Sequence, residues 1–238
     1  MNFQAPPLTR VNKTIIITTI VLFVLHSLGR ALGAFSLIPW LSVSASSWMS
    51  LYTVFTYPLL ETHLLSVMFN GLVLWFLGSE LERQWGEKIY IKFLLACSVV
   101  TGLLFFLISS FLLKGTALGA GSLMGLAGLS YALCVAYATL YPDRQFMMMF
   151  AFPVKAKWFC IIMVGVELYM ALFSGNPAAF GHLFSMGMGF LLIRFQTTSL
   201  VAAWFNQKTP GGGASKRAKN ASHLKLVKPD DDKPRYWH

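Results

Sequence analysis

The chain has 238 residues, 56% of them hydrophobic and 12% charged, with a net charge of +10. Soluble domains carry about 25% charged residues, so this composition excludes an ordinary soluble domain and makes lipid the main solvent. Mean hydropathy is +0.62, and the apolar runs are long enough to test singly against the ~20 residues that cross a bilayer core.

In chain order, six runs are predicted to span: Thr14–Phe35, Thr62–Gly78, Tyr90–Leu112, Gly121–Tyr141, Phe150–Phe173 and Pro177–Phe195. The first is too long for a signal-peptide core and has no A-x-A site, so it reads as a retained span. Residues 36–61 then form a long connection with no charge before Glu61. It holds Trp40, Trp48, Tyr52, Phe55 and Tyr57, a density of aromatics that predicts a segment lying in the membrane interface. Tyr141-Pro142-Asp143-Arg144 ends the fourth run, because proline cannot continue a helix and disfavours helical geometry just before it. The expected organisation is a segment 1–13, a membrane domain 14–197 and a basic, disordered cytoplasmic tail 198–238, starting Pro/Gly-rich and ending Lys/Asp/Pro-rich.

Charge sets the orientation. Arg10 and Lys13 precede the first span, Arg83 and Lys88 lie between the second and third, and Arg144, Lys155 and Lys157 lie around the turn between the fourth and fifth. Positive residues favour the cytoplasmic side, which predicts both termini there. The tail reads as a solvated charge run, with no nucleic-acid partner implied, because aromatics do not interleave its lysines. Cys97, Cys134 and Cys160 all fall in apolar runs, with neither a disulfide framework nor metal spacing. No metal and no cofactor is expected. The runs show no internal repeat and almost no charge at their middles, which argues against a transporter or channel.

An ionisable residue in such a run marks a functional site, and His182 sits in the sixth. Spans two, four and six enter from the same face. Asn70, Ala127 and His182 lie about five to eight residues inside them, so at 1.5 Å per residue they share a level roughly 8–12 Å deep. Gly121, Gly125, Gly128, Ala132 and Ala136 on span four, with Gly181, Ser185 and Gly189 on span six, form small-residue rows that let two backbones approach in lipid. A serine at 127 would stand beside an imidazole base. The backbone N–H groups freed by Gly125 and Gly128, with the Asn70 amide, would supply oxyanion donors. Position 127 is alanine.

From about residue 48 to 195 the chain resembles the rhomboid intramembrane serine proteases. The resemblance rests on Trp48 through Tyr57, Phe69-Asn70, Gly78-Ser79-Glu80-Leu81-Glu82, Trp85-Gly86, Gly125-Leu126-Ala127-Gly128, Tyr141-Pro142-Asp143 and Gly181-His182-Leu183. It implies an all-α, six-transmembrane-helix bundle with an interfacial loop between helices 1 and 2. It also implies a Ser-His dyad that cleaves transmembrane helices near the outer face, with Ala127 in the nucleophile slot and His182 as base. The location expected is a bacterial inner membrane. Two departures stand out. Alanine replaces the G-x-S-G serine, so the chain as written is expected to be inactive. Ser66, not histidine, stands four residues before Asn70, with His63 one turn earlier as a substitute donor on the same face. Ser122 and Ser130 flank the slot and read as packing residues. The alanine fits either a natural pseudoprotease binding membrane-protein clients or a deliberate Ser→Ala replacement in a protease.

Overall fold

The computed structural model describes residues 7–44, 52–112, 116, 121–148 and 152–195. Helix α1 runs from Arg10 to Ala31 and buries Asn12, Thr19, His26 and Gly29, a stripe of polar or small residues at near-heptad spacing. Its apolar side chains, including Ile17, Ile20, Val21 and Val24, face outward. That inversion is what lipid solvent demands: apolar residues lose nothing by facing acyl chains, and polar ones must find partners inside.

The described part of the 36–61 connection contains two short helices, α2 (Ile38–Leu41) and α3 (Thr53–Thr56), and a 3₁₀ turn at Tyr57–Leu59. Between α2 and α3, strand β1 (Val43–Ser44) pairs antiparallel with β2 (Ser122–Leu123), which lies just ahead of the fourth helical run; Val43 faces Leu123 and Ser44 faces Ser122. Trp48 lies outside the described residues. The second run is one continuous helical stretch made of α4 (Leu64–Val73), a π turn (Leu74–Gly78) and α5 (Ser79–Trp85). Gly86, at φ +81°, breaks it, and α6 (Glu87–Leu107) follows, ending in a second π turn.

Three helices complete the bundle: α7 (Ala127–Leu140), α8 (Ala156–Leu172) and α9 (Pro177–Phe195). Helix α7 stops at Leu140, directly before the Tyr-Pro step, and β3 (Gln145–Met148) and β4 (Phe152–Lys155) form a hairpin before α8. Around α7 the core is Leu74, Leu81, Tyr90, Phe93, Leu126 and Leu133, with α9 packed along one side of α7.

The expected architecture changes in three respects. Two small antiparallel ladders are added to a purely helical scheme, pairing backbone groups where the chain leaves its helices. Among the described residues, four helical stretches, Arg10–Ala31, Leu64–Trp85, Glu87–Phe111 and Pro177–Phe195, are long and apolar enough to cross a membrane. Helix α7, with 14 residues, and α8, with 17, are shorter, roughly 21 and 26 Å against a core of ~30 Å. Finally, the fourth run turns helical only at Ala127, because Gly125 has φ +94°. Gly121 and Gly125 therefore precede the helix whose face they were expected to line. The predicted tail, 198–238, lies outside the described residues.

Opposite the His182 end, the Glu82 carboxylate reaches across from α5 to the start of α1. It accepts from the backbone N–H groups of Val11 (3.2 Å) and Asn12 (3.4 Å), from Asn12 Nδ2 (2.8 Å) and from the Thr9 hydroxyl. A helix start leaves four N–H groups without partners, and here a distant carboxylate takes two of them. The Tyr90 hydroxyl donates to Asn12 Oδ1 at 2.7 Å. Gly78 makes room for this, since a methyl there would lie 2.6 Å from both the Asn12 and Tyr90 oxygens.

Candidate functional site

The site is assembled at the junction of the 36–61 connection with α4, α7, α8 and α9. The chain reaches α7 through the positive-φ turn at Gly125, whose N–H donates to the Tyr57 carbonyl at 2.9 Å. Leu126 then presents its N–H at the head of α7, and it donates to Oε1 of Glu61 at 2.8 Å. Asn70, buried on α4, donates from Nδ2 to the same oxygen at 2.9 Å. A Cβ on Gly125 would come within 3.2 Å of both Glu61 carboxylate oxygens. The turn is thus a cradle shaped around a carboxylate.

Glu61 is 5% exposed and lies just before the α4 stretch. Burial pushes its carboxyl above the ordinary glutamate range, and the Leu126 N–H and the Asn70 amide pull it back down.

Helix α9 brings His182 against the other side of α7. A Cβ built on Gly128 would lie 3.8 Å from His182 Cδ2 and 3.5 Å from the Ser185 hydroxyl. His182 Nδ1 lies 3.0 Å from Oε2 of Glu167 on α8, both side chains only about a tenth exposed (12% and 11%). With Glu167 accepting from Nδ1–H, the ring's basic nitrogen is Nε2. Tyr131, one turn into α7, sets its ring edge-on to the imidazole, with centroids 5.3 Å apart and planes at 85°. Deeper along the same interface the backbones approach closely: a methyl on Gly189 would lie 2.8 Å from the Ala132 carbonyl oxygen.

Asn70, Gly125 and Leu126 meet on one carboxylate, and Gly128 meets His182. Ala127, between them, is the first residue of α7 and half-buried. His63 is exposed at the N-cap of α4, and Ser66 is half-buried within it. Ser122 belongs to β2, and Ser130 is fully buried with no partner for its hydroxyl among the described residues.

Three participants escaped the sequence reading: Glu61, Tyr131 and Glu167. Glu167 carried the same signal as His182, an ionisable side chain inside an apolar run. Glu61 was visible as the first charge after a long uncharged segment. Tyr131 carried no signal beyond its spacing.

The sequence profile of a family described as eukaryotic integral membrane protein (DUF1751) matches residues 13–218. The chain belongs to that family. It is also 28% identical over 140 residues to "Rhomboid-like protein 19" of Arabidopsis thaliana, a stretch covering 57% of this chain and 45% of that protein. The chain therefore spans under half the length of this relative. Both findings are consistent with the rhomboid-like superfamily. They overturn the expected bacterial inner membrane: the family is eukaryotic, and rhomboid-type motifs shared between bacteria and eukaryotes carry no information about the source of a chain.

Proposed function

We propose that the protein is a non-proteolytic rhomboid-like membrane protein that binds transmembrane segments of other proteins without cutting them, with α7 and α8 crossing the membrane alongside the four longer stretches. The observation that carries this reading is Ala127. It heads α7 between the Leu126 N–H and the His182–Gly128 contact, at the one position where acyl transfer needs an oxygen. A methyl group cannot be activated by an imidazole. What remains is a largely buried cluster of polar groups, Glu61, Asn70, Glu167 and His182, within a lipid-facing bundle.

The peptidase reading requires an oxygen at 127, and neither neighbouring serine meets the need: Ser130 is wholly enclosed and Ser122 is held in a β ladder. Clients are expected to approach along α4 and α8, whose outward faces include Met68, Leu72, Ile162 and Tyr169. Photo-crosslinkers at Met68 and Ile162 in native membranes should trap intact transmembrane proteins. A crosslinker at Val21 on α1 should give only background. Equal trapping at all three positions would refute the assignment.

A further inference from the structure

Two of the donors that would stabilise an oxyanion beside residue 127 are already occupied. Leu126 N–H and Asn70 Nδ2 both point at Oε1 of Glu61, at 2.8 and 2.9 Å. The carboxylate is enclosed, and the Gly125 turn leaves space for it that any side chain would fill. The segment carrying it is anchored as well. Tyr57 is buried, accepts from Gly125 N–H, and sends its hydroxyl to the Ser98 carbonyl at 3.2 Å; Leu60 has no exposed surface.

We propose that Glu61 is a built-in inhibitor: its carboxylate fills the oxyanion site from within, closing it to acyl and phosphonyl chemistry independently of the alanine at 127. This rests on the reading of a silent rhomboid-like site and adds a second lock to it. An incoming tetrahedral oxyanion would have to displace a resident carboxylate from both donors. It would also have to sit beside that carboxylate, like charge against like charge. Loss of one oxyanion donor alone lowers a rate by roughly 10²–10³-fold, so a plugged pair is a sufficient block. The two locks are carried by different elements, α7 and the 36–61 connection, so one substitution does not reopen the site.

The test uses the full chain in detergent with an alkyl fluorophosphonate as probe. In the Ala127→Ser variant the introduced hydroxyl attacks phosphorus, its proton passes to His182 Nε2, and fluoride leaves. Ala127→Ser alone is expected to label slowly or not at all. Ala127→Ser with Glu61→Ala is expected to label about 10²-fold faster or more, and adding His182→Ala should abolish the gain. Should Glu61→Ala fail to fold, Glu61→Asp serves, since losing one methylene draws the carboxylate back from both donors. Equal labelling with and without the Glu61 change, whether fast or absent, overturns the proposal. Client crosslinking by the unaltered protein is a separate measurement, so either idea can fail without the other.

Discussion

Glu167 Oε2 lies 3.0 Å from Nδ1 of His182, tying α8 to α9 through one buried polar contact. Helix α8 buries only Ala156, Glu167 and Ala171, so this carboxylate is its main inward anchor. Removing the acceptor strands the buried Nδ1–H of His182, at about 1–3 kcal/mol. Glu167→Ala should destabilise the detergent-solubilised protein on that scale, read as a fall in unfolding midpoint. Glu167→Gln, whose amide oxygen still accepts from Nδ1–H, should lose much less. Equal losses would mean that the helix is held by packing alone.

The α7–α9 interface makes a contrasting pair of predictions. A methyl at Gly128 would meet Ser185 at ordinary contact distance, 3.5 Å, whereas one at Gly189 would lie 2.8 Å from a backbone oxygen. Gly189→Ala should therefore cost about 1–3 kcal/mol, the usual penalty for overpacking, and Gly128→Ala close to nothing. Thermal unfolding of the two single variants decides it.

Glu82 is buried and holds the start of α1 through four donors. Glu82→Ala leaves buried N–H groups unpaired, at about 1–3 kcal/mol per strongly dependent group. Amide exchange at Val11 and Asn12 should accelerate first, ahead of any change at α9. Exchange that stays slow there would show that the cap is dispensable.

Asp143 is exposed between α7 and α8, within 3.3 Å of Lys157 and 3.6 Å of Lys155, and Lys157 holds its carboxyl below the ordinary value of 3.8. A depressed carboxylate pKa adds stability above the unfolded value, which is lost as pH falls through the folded one. The acid limb of a stability profile below about pH 4 should be slightly steeper in the unaltered protein than in Asp143→Asn. The difference should vanish in high salt, which screens an exposed pair.

Much of this was legible in the sequence, for a physical reason. Lipid removes the ambiguity of hydrophobic patterning: an apolar run of ~20 residues has few fates, and an imidazole inside one must have a partner. Helix α9 was located at Pro177–Phe195, and α7 ends where Pro142 dictates. The register of close approach was readable from Gly189 and Ala132. The start of α7 was not, because Gly125 fits equally in a small-residue helix face and in a positive-φ turn. The partners of Asn70 and His182 were hidden too, since Glu61 is 9 residues from Asn70, and 65 from Leu126, and Glu167 is 15 from His182. Carboxylates that arrive from a neighbouring element leave no local spacing to read.

The carboxylate that caps α1 also bears on how the protein is made. The two segments joined at that cap are about 70 residues apart in synthesis. The first helix therefore emerges with its leading amides bare and completes its hydrogen bonding only once the second apolar stretch has been made far enough to deliver residue 82. Since unpaired amides are costly once buried against the protein, as Asn12 is, the first two stretches should settle as a hairpin, not one after the other, and a nascent chain halted before residue 82 should hold its first helix loosely.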